Sequence, residues 1–342
     1  MRAVLNPAVD PGAVPPPSGE ATAFHRGLPS YTPTPVHELD ADFGVAAVHV
    51  KDESNRLGLP AFKILGASWA VERALRAAPG VRVLVAASAG NHGRAVAHAA
   101  ALRGLAARIY LPERSLAAPR EAIAGEGAEV VVVSGTYEDA VAAAERAARE
   151  AGTALIADVG DGGPAEWVVD GYATLFAEAA EQAAYDLLLV PVGVGSLAAA
   201  AARHGAQVGA RVVGVEPATA ACLSASLARG VPTAVPTPGT AMAGLDCAEV
   251  SVAAWPSLRS GIAGTVTVSD EEARAAVDEL AAQGLTIGES GAAPLAGLRA
   301  LLGDERCRAL REQLGVSGRT RVLLIATEGP TGAPASRGRA AR

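Results

Sequence analysis

Short apolar segments alternate with longer helix-period stretches along most of the chain. The pattern predicts strands at 45–50, 81–86, 107–111, 129–133, 154–157, 187–191, 212–215, 264–268 and 322–326. Between them it predicts helices at 95–103, 119–125, 137–151, 165–184, 218–229, 270–283 and 293–302. Ser269 and Glu272 have the spacing of a capping box at the start of the helix at 270–283. Apolar strands alternating with helices are typical of a parallel sheet covered on both sides, so we expect an α/β fold.

The two ends of the chain lack this pattern. Residues 1–20 are rich in proline and small side chains, and residues 331–342 are small and basic. Such composition favours neither regular helices nor buried strands. We therefore expect a loose leader at 1–20 and a frayed tail at 331–342.

Composition and charge exclude several classes of protein. The chain has 342 residues, of which 50% are hydrophobic, enough for two domains or one large one. Its net charge of −7 argues against a nucleic-acid partner. It has no run of about 18 uncharged apolar residues, so no membrane span is expected. Cys222, Cys247 and Cys307 lack ligand spacing, which indicates reduced thiols in a cytoplasmic protein and no metal site.

Lys63 is the first candidate for chemistry. Pro60 indicates the start of a helix, and apolar residues at Phe62, Leu65 and Trp69 form one buried stripe around the lysine. The helix dipole and burial both disfavour an ammonium there, so we expect a lowered pKa and a nucleophilic amine. Such an amine can form a Schiff base with a carbonyl cofactor. The alternative is an ordinary lysine whose stem covers apolar surface and whose charge stays in water.

The first of two glycine-containing turns follows the strand at 81–86. It is formed by Ser88, Ala89, Gly90, Asn91, His92 and Gly93. Because the turn opens a helix, its backbone N–H groups are free to hold an anion such as a carboxylate, and Asn91 adds an amide. Any strand-to-helix turn can use glycine and asparagine in this way for purely conformational reasons.

The second turn follows the strand at 187–191. It is formed by Gly193, Val194, Gly195, Ser196 and Leu197. With Ala198 it satisfies the loose G-x-G-x-x-A pattern of dinucleotide-binding proteins, and Glu216 lies about where the ribose-binding acid would be. A phosphate cradle for another cofactor has the same appearance. Both interpretations stay open at this point.

Thr327 lies at the carboxyl end of the last predicted strand. Ligands in open α/β sheets collect at this edge, so its hydroxyl could reach a ligand in the same crevice as the two turns. The alternative is that it caps the turn that follows.

Taken in chain order, these segments resemble the fold-type II pyridoxal-phosphate enzymes, the superfamily of tryptophan synthase β and threonine dehydratase. Within it the chain is most similar to the 2,3-diaminopropionate ammonia-lyase family, over roughly residues 32–331. The shared segments are KDESNRLGLPAFK at 51–63, GNHG at 90–93, WVVDGYAT at 167–174, GVGSL at 193–197, MAGLDC at 242–247, GESG at 288–291 and ATEG at 326–329.

The resemblance implies pyridoxal 5′-phosphate as cofactor and a role for each candidate. Lys63 would hold the cofactor covalently and then act as the base at Cα of the substrate, and Asp158 would face the substrate amine. The backbone of 193–197 would bind the phosphate, Asn91 the ring hydroxyl and Thr327 the pyridine nitrogen. Ser88, Ala89, Gly90 and His92 would surround the substrate carboxylate. A neutral hydroxyl at Thr327 makes the ring a weaker electron sink, which suits β-elimination.

Two positions depart from the ammonia-lyase pattern. The family has an aspartate just before GNHG, on the cofactor face opposite the lysine, where this chain has Ala89. It also has an aspartate after the closing motif, where this chain has Pro330. The turn at 88–92 is more similar to the S-A-G-N-H turn of threonine dehydratases. These departures affect the expected substrate more than the expected reaction.

We therefore expect a two-domain cytoplasmic enzyme, with a small domain at 80–182 inserted into a large cofactor-binding domain at 21–79 and 183–330. The expected reaction is α,β-elimination from a small L-amino acid such as L-2,3-diaminopropionate, giving pyruvate and ammonia. L-Serine or L-threonine dehydration and β-replacement are the alternatives within the superfamily. A nicotinamide-dependent oxidoreductase and a non-catalytic binding protein are alternatives of other classes. The resemblance implies a homodimer, while charge and composition indicate no nucleic-acid or membrane partner.

Overall fold

A computed structural model describes residues 2–330, and the predicted tail at 331–342 lies outside the described residues. The strands are β1 (Ala3–Leu5), β2 (Val36–Glu38), β3 (Ala47–Asp52), β4 (Val83–Ala87), β5 (Ala106–Pro112), β6 (Glu129–Val133), β7 (Thr153–Leu155), β8 (Leu187–Pro191), β9 (Arg211–Pro217), β10 (Ile262–Val268) and β11 (Arg321–Ala326). The helices are α1 (Gly19–Arg26), α2 (Lys63–Ala77), α3 (Asn91–Leu102), α4 (Ala117–Gly125), α5 (Tyr137–Ala147), α6 (Pro164–Gly171), α7 (Ala173–Gln182), α8 (Ser196–Val208), α9 (Cys222–Arg229), α10 (Trp255–Gly261), α11 (Asp270–Ala282), α12 (Glu289–Gly303) and α13 (Arg308–Leu314).

The strands form two sheets that are both mainly parallel. The larger sheet has seven strands in the order β1-β10-β9-β8-β11-β3-β2, with antiparallel strands at its two edges. The smaller sheet has four parallel strands in the order β6-β5-β4-β7. The predicted α/β fold with helix-flanked parallel sheets is confirmed. All strands of the smaller sheet lie between residues 80 and 182 and those of the larger sheet lie outside that range, while the domain bounds themselves stay a prediction.

The N-terminal segment is ordered, so the prediction of a loose leader at 1–20 is wrong. Strand β1 pairs with β10, and Val4 is buried against the core. Arg2 forms an ion pair of 2.6 Å with Glu272, and the amide of Asn6 donates to the carbonyl of Ile262 at 2.7 Å. All these partners lie more than 250 residues away along the chain, which is why local composition does not reveal them.

Two helices differ from their predicted bounds in ways that matter for the site. The helix predicted at 95–103 begins at Asn91, so Asn91 and His92 lie in its first turn rather than before it. The helix predicted at 165–184 is interrupted at Tyr172, which separates α6 from α7. Strands β6 and β8 and the capping box of Ser269 and Glu272 are as predicted.

Helix α2, which carries Lys63, and the segment before it are held by buried contacts. Gly66 lies against the ring of Tyr172, so close that a Cβ there would stand 2.7 Å from Cε1 of the ring. In the segment before α2, Lys51 and Arg56 are fully buried and paired with Glu178 at 2.8 and 2.7 Å. Since buried charges are tolerated only when paired, this cluster fixes the chain on either side of the loop that leads to Lys63.

A buried histidine ties α1 to α2 and α7. The ring of His25 contacts the hydroxyl of Thr174 through Nδ1 at 2.7 Å and the carbonyl of Leu65 through Nε2 at 3.0 Å. Burial, reinforced by the charge of Arg56, lowers its pKa from 6.5 to about 3. The folded protein therefore holds His25 neutral at every pH above that value.

We expect the protein to lose stability as the pH falls from 6.5 towards 3. The unfolded chain binds a proton at His25 in this range and the folded chain does not, so each pH unit costs up to about 1.4 kcal/mol. Urea unfolding at pH 7.0 and 5.5 measures the loss, and His25→Gln, which cannot gain a proton, should lose about 1 kcal/mol less than the wild type over that step. Equal losses in the two proteins would contradict a neutral His25.

Candidate active site

Five chain segments that follow strand ends meet in one cleft. They follow β3, β4, β7, β8 and β11, and they carry Lys63, Asn91, Asp158, Ser196 and Thr327. Lys63 contacts Asp158 at 3.0 Å, and the hydroxyl of Ser196 donates to the carbonyl of Asp158 at 3.0 Å. The backbone N–H of Phe62 donates to the carbonyl of Thr327 at 3.1 Å. The sequence-predicted candidates on these five segments are thus brought together, from both sheets.

Lys63 is the first residue of α2, as its position after Pro60 predicted. Its Nζ donates to Oδ2 of Asp158 at 3.0 Å, and its side chain is 20% exposed. The expected lowering of its pKa is wrong. Burial does lower the pKa of Lys63, but Tyr172 and Asp158 outweigh it and raise that pKa above its usual value. Asp158 is the charged partner of the two, because burial raises the pKa of Tyr172 to about 12 and keeps it neutral.

Asp158 follows β7 and stays ionised at every physiological pH. Burial by itself would raise its pKa, but the neighbouring His92 and Lys63 lower it to about 2. Its side chain is 14% exposed. The cleft therefore carries a fixed negative charge directly beside the amine of Lys63.

The imidazole of His92 is buried beside Asp158, and its Nε2 is engaged by the backbone. The ring is 3% exposed, and Nε2 lies 2.9 Å from the carbonyl of Ile156. Nδ1 lies 3.9 Å from Oδ2 of Asp158. Only the backbone of His92, in the first turn of α3, remains with Ser88, Ala89 and Gly90 as a candidate for the substrate carboxylate.

The turn before α3 is tight and presents mostly backbone. The hydroxyl of Ser88 accepts from the N–H of Gly90 at 3.3 Å, and Gly90 begins the helix without a side-chain cap. A Cβ on Gly93 would stand 2.2 Å from the carbonyl oxygen of Ser88, so glycine is required there by close approach. Ala89 packs against the apolar core. The turn can offer N–H groups to an anion, and Ala89 contributes no charge to it.

Asn91 bridges the two sheets. Its side-chain amide donates to Oε2 of Glu328, which follows β11. Glu328 is buried, its Oε1 has no partner among the described residues, and burial raises its pKa. Asn91 is thus held at the cleft, where its predicted contact with a ring hydroxyl stays a prediction.

The turn at 193–197 has two glycines at positions with no room for a side chain. Gly195 has a φ of +90°, and a Cβ there would stand 2.6 Å from a methyl carbon of Leu258. A Cβ on Gly193 would stand 2.8 Å from the carbonyl oxygen of Gly244. Within residues 2–330 no side chain caps α8, which begins directly after Gly195. The uncapped N–H groups of this helix are suited to a phosphate.

Glu216 is not available for the ribose contact that a nicotinamide cofactor requires. Its carboxylate is fully buried and accepts from the backbone N–H groups of Leu223 and Ser224 at 2.6 and 2.8 Å. It therefore holds the start of α9. The Gly193–Leu197 turn is still suited to a phosphate, but the carboxylate that a dinucleotide site needs for its ribose is engaged at α9.

Tyr172 is the residue of the site that sequence reasoning missed. Its side chain is fully buried, its ring packs 4.7 Å from that of Phe62, and its hydroxyl has no partner in the described part of the chain. The segment WVVDGYAT contains Tyr172, but the pattern of residues there predicts one continuous helix. The break at Tyr172 depends on Gly171, which packs against the backbone of Leu65 and Gly66.

The residues present fit pyridoxal phosphate. Lys51 and Lys63 are the two lysines of the chain, and Lys51 is fully buried in its ion-pair cluster, so Lys63 is the amine open to a carbonyl cofactor. The glycine cradle and the uncapped start of α8 suit a phosphate. Asn91 and the hydroxyl of Thr327 are neutral polar groups at the same cleft.

Within residues 2–330 no helix is long and apolar enough to cross a membrane.

Comparison with known proteins agrees with this geometry. Residues 28–328 match the family described as "Pyridoxal-phosphate dependent enzyme". The diaminopropionate ammonia-lyase of Salmonella typhimurium is 34% identical over 91% of this chain and 89% of its own length. The L-threonine ammonia-lyase of Geobacter sulfurreducens is 32% identical over 73% of this chain and 65% of its own length.

A solved structure shows the same architecture. The crystal structure of diaminopropionate ammonia-lyase from Escherichia coli, in complex with an aminoacrylate–pyridoxal-phosphate azomethine intermediate, superposes with a TM-score of 0.86 and 31% identity. The match covers 96% of this chain and 93% of that one. This chain belongs to the pyridoxal-phosphate-dependent enzymes and is a lyase of fold type II that uses pyridoxal 5′-phosphate for elimination.

Proposed function

We propose that this lyase converts L-2,3-diaminopropionate to pyruvate and ammonia. The observation that carries the proposal is the ionised carboxylate of Asp158, 3.0 Å from the amine of Lys63. A fixed negative charge beside the base favours a substrate whose β-substituent is an ammonium over one whose β-substituent is a neutral hydroxyl. The similarity to named diaminopropionate ammonia-lyases over most of both chains supports the same substrate.

The chain's own groups divide the work as follows. Pyridoxal phosphate supplies the electron sink that stabilises negative charge at Cα. Lys63 takes the proton from Cα. Asp158 holds the amino group that leaves, and the N–H groups at 88–92 hold the carboxylate. Thr327 offers a neutral hydroxyl to the ring nitrogen, and Asn91 binds the ring hydroxyl.

The stoichiometry of the products tests the proposal. Elimination and hydrolysis release two molecules of ammonia per pyruvate from 2,3-diaminopropionate and one from serine. We expect two, with a higher kcat/KM for L-2,3-diaminopropionate than for L-serine or L-threonine. In Asp158→Asn the charge is removed at constant size, and kcat/KM should fall about 10–100-fold more for the diamino acid than for serine. A wild type that prefers serine, or a variant that loses both activities equally, would overturn the proposal.

L-Serine or L-threonine dehydration is the second candidate, and one observation favours it. The turn Ser88–His92 carries Ala89 in place of an acid, as in threonine dehydratases, and an L-threonine ammonia-lyase is among the relatives. The same assay separates the candidates, because threonine gives 2-oxobutyrate. Adding a thiol or indole to the assay tests β-replacement, which would divert carbon from the keto acid.

We expect this enzyme to act on L-substrates and to leave D-2,3-diaminopropionate almost untouched. The resemblance places an aspartate at the position of Ala89, on the face opposite the lysine, and alanine cannot accept a proton there. Since a general base contributes typically ~10²–10⁴-fold, the D-isomer should react that much more slowly than the L-isomer. Keto-acid formation from the paired isomers measures the ratio.

Ala89→Asp is the matched variant for this prediction. It restores an acid to the turn without touching Lys63 or Asp158, and it should raise the D-activity while the L-activity changes less. The Escherichia coli relative has been crystallised with D-serine, so a D-isomer can enter a site of this architecture. Comparable rates on both isomers in the wild type would show that another group supplies the second base.

We further propose a cytoplasmic homodimer. The three cysteines are free, which agrees with a reducing compartment, and the family resemblance implies a dimer. Light scattering of the purified protein should give about twice the 34.2 kDa of one chain. A monomeric mass would contradict the dimer.

A further inference from the structure

One buried nitrogen beside the base has no partner. The imidazole of His92 is 3% exposed, and within the described residues its Nδ1 makes no hydrogen bond. Its Nε2 lies 2.9 Å from the carbonyl of Ile156. A carbonyl can only accept, so Nε2 carries the ring proton and Nδ1 presents a lone pair. His92 is therefore held as a hydrogen-bond acceptor whose Nδ1 lies beside Asp158.

The lone pair of His92 faces a second acceptor. Nδ1 lies 3.9 Å from Oδ2 of Asp158, too far for a hydrogen bond, and the ionised carboxylate has no proton to donate. Burial lowers the pKa of His92, which keeps the ring neutral and prevents it from donating to Asp158. Two neighbouring acceptors need a group that carries at least two N–H bonds, and an ammonium is such a group.

Lys63 shows that an alkylammonium can lie beside Asp158. Its Nζ is 3.0 Å from the same Oδ2 of Asp158, and its charge acts on the pKa of His92. The tyrosine hydroxyls near Lys63 and Asp158, those of Tyr137 and Tyr172, stay neutral because burial raises their pKa values. Among the described residues Nδ1 of His92 stays unpaired even with Lys63 in place, and when the amine of Lys63 is engaged by the cofactor Asp158 also loses its cation.

We propose that Nδ1 of His92 and the carboxylate of Asp158 together bind the β-ammonium of the substrate, and that His92 sets the preference for β-amino over β-hydroxy amino acids. A hydroxyl has one proton and satisfies one acceptor, which leaves the other buried and unpaired. An ammonium satisfies both. The inference rests on the proposed function, because it assigns a role in choosing the same substrate.

His92→Gln tests the assignment. The glutamine amide can occupy the place of Nε2 and donate to the carbonyl of Ile156, while the acceptor at the position of Nδ1 is lost. The quantity to measure is the ratio of kcat/KM for L-2,3-diaminopropionate to that for L-serine. We expect this ratio to fall about 10–100-fold, with most of the change for the diamino acid in KM.

His92→Asn is the matched control. Its side-chain oxygen can occupy the place of Nδ1, so it keeps the acceptor and loses the contact with Ile156. The ratio should stay within a few-fold of the wild type, even if this variant is less stable. Thermal unfolding and the visible spectrum of each holoenzyme show that the fold and the cofactor are retained.

The outcomes separate this inference from the proposed function. A wild type that prefers L-serine would overturn both. A wild type that prefers the diamino acid, with a ratio that His92→Gln leaves unchanged, would overturn the role of His92 alone. A ratio that falls in His92→Asn but not in His92→Gln would assign His92 to holding Ile156, and an equal fall in both variants would show that the acceptor at Nδ1 is not what sets the ratio; either result would overturn the proposal.

Discussion

Lys63→Ala should be colourless after incubation with pyridoxal phosphate and should lose all measurable turnover. The wild type should be yellow, because a cofactor joined to an amine absorbs visible light. Loss of the base alone costs about 10²–10⁴-fold, and loss of covalent attachment adds to it. Absorption spectra of the two purified proteins and keto-acid formation from L-2,3-diaminopropionate measure the effect.

Lys63→Arg is the control that distinguishes loss of the covalent bond to the cofactor from loss of the positive charge. Arginine keeps a cation beside Asp158 but cannot form the covalent bond, so it should be as inactive as the alanine variant and more stable. Borohydride reduction of the wild type gives an independent readout. We expect the added mass on the peptide that contains Lys63 and not on Lys51, because Nζ of Lys51 is bound to Thr34, Glu178 and Gln182. A label on Lys51, or turnover by Lys63→Ala, would contradict the assignment of Lys63 as the lysine that binds the cofactor.

Gly195→Asp should expel the cofactor while the chain remains folded. The position has a φ of +90° and no room for a Cβ, and an aspartate there adds a negative charge beside the phosphate cradle. We expect the Kd for pyridoxal phosphate to rise at least about 100-fold, equivalent to about 2.7 kcal/mol. Titration of the apoprotein, followed by its visible absorption, gives the Kd, and circular dichroism reports the fold.

Gly195→Ala has the same backbone strain without the charge, so it should weaken binding less than the aspartate does. NAD provides the second comparison. Because Glu216 is engaged in holding α9, we expect no NAD binding by the wild type or by either variant. Tight NAD binding by the wild type that Gly195→Asp abolishes would favour the oxidoreductase after all.

The buried ion pairs give a structural role to residues upstream of Lys63 in the shared segment at 51–63. In the stretch 51–63, Lys51 and Arg56 have no direct contact with Asp158 or with the glycine cradle. They are fully buried against Glu178, and Arg56 also pairs with Glu53 at 2.6 Å. Removing one partner of such a cluster leaves an unpaired buried charge, so these residues stabilise the segment that leads to α2.

The chain order of the elements and the place of the cleft could be predicted from sequence, because both depend on contiguous residues. The periodicity of short apolar strands and amphipathic helices is local, and the ends of parallel strands share one edge of a sheet. Pro60 indicates the helix start at Lys63, and the glycines at 193 and 195 mark a turn where a side chain does not fit. Nothing distant is needed for these conclusions.

The tertiary structure decided those features that depend on contacts between residues far apart in the chain. Strand β1 exists because β10 pairs with it, although its own composition favours a loose segment. The pKa of Lys63 rises instead of falling because Asp158, 95 residues away, stands 3.0 Å from its amine. The imidazole of His92 turns towards Asp158 because the carbonyl of Ile156 holds Nε2. A residue's type and neighbours limit what it can do, whereas its charge state and orientation depend on packing between distant segments.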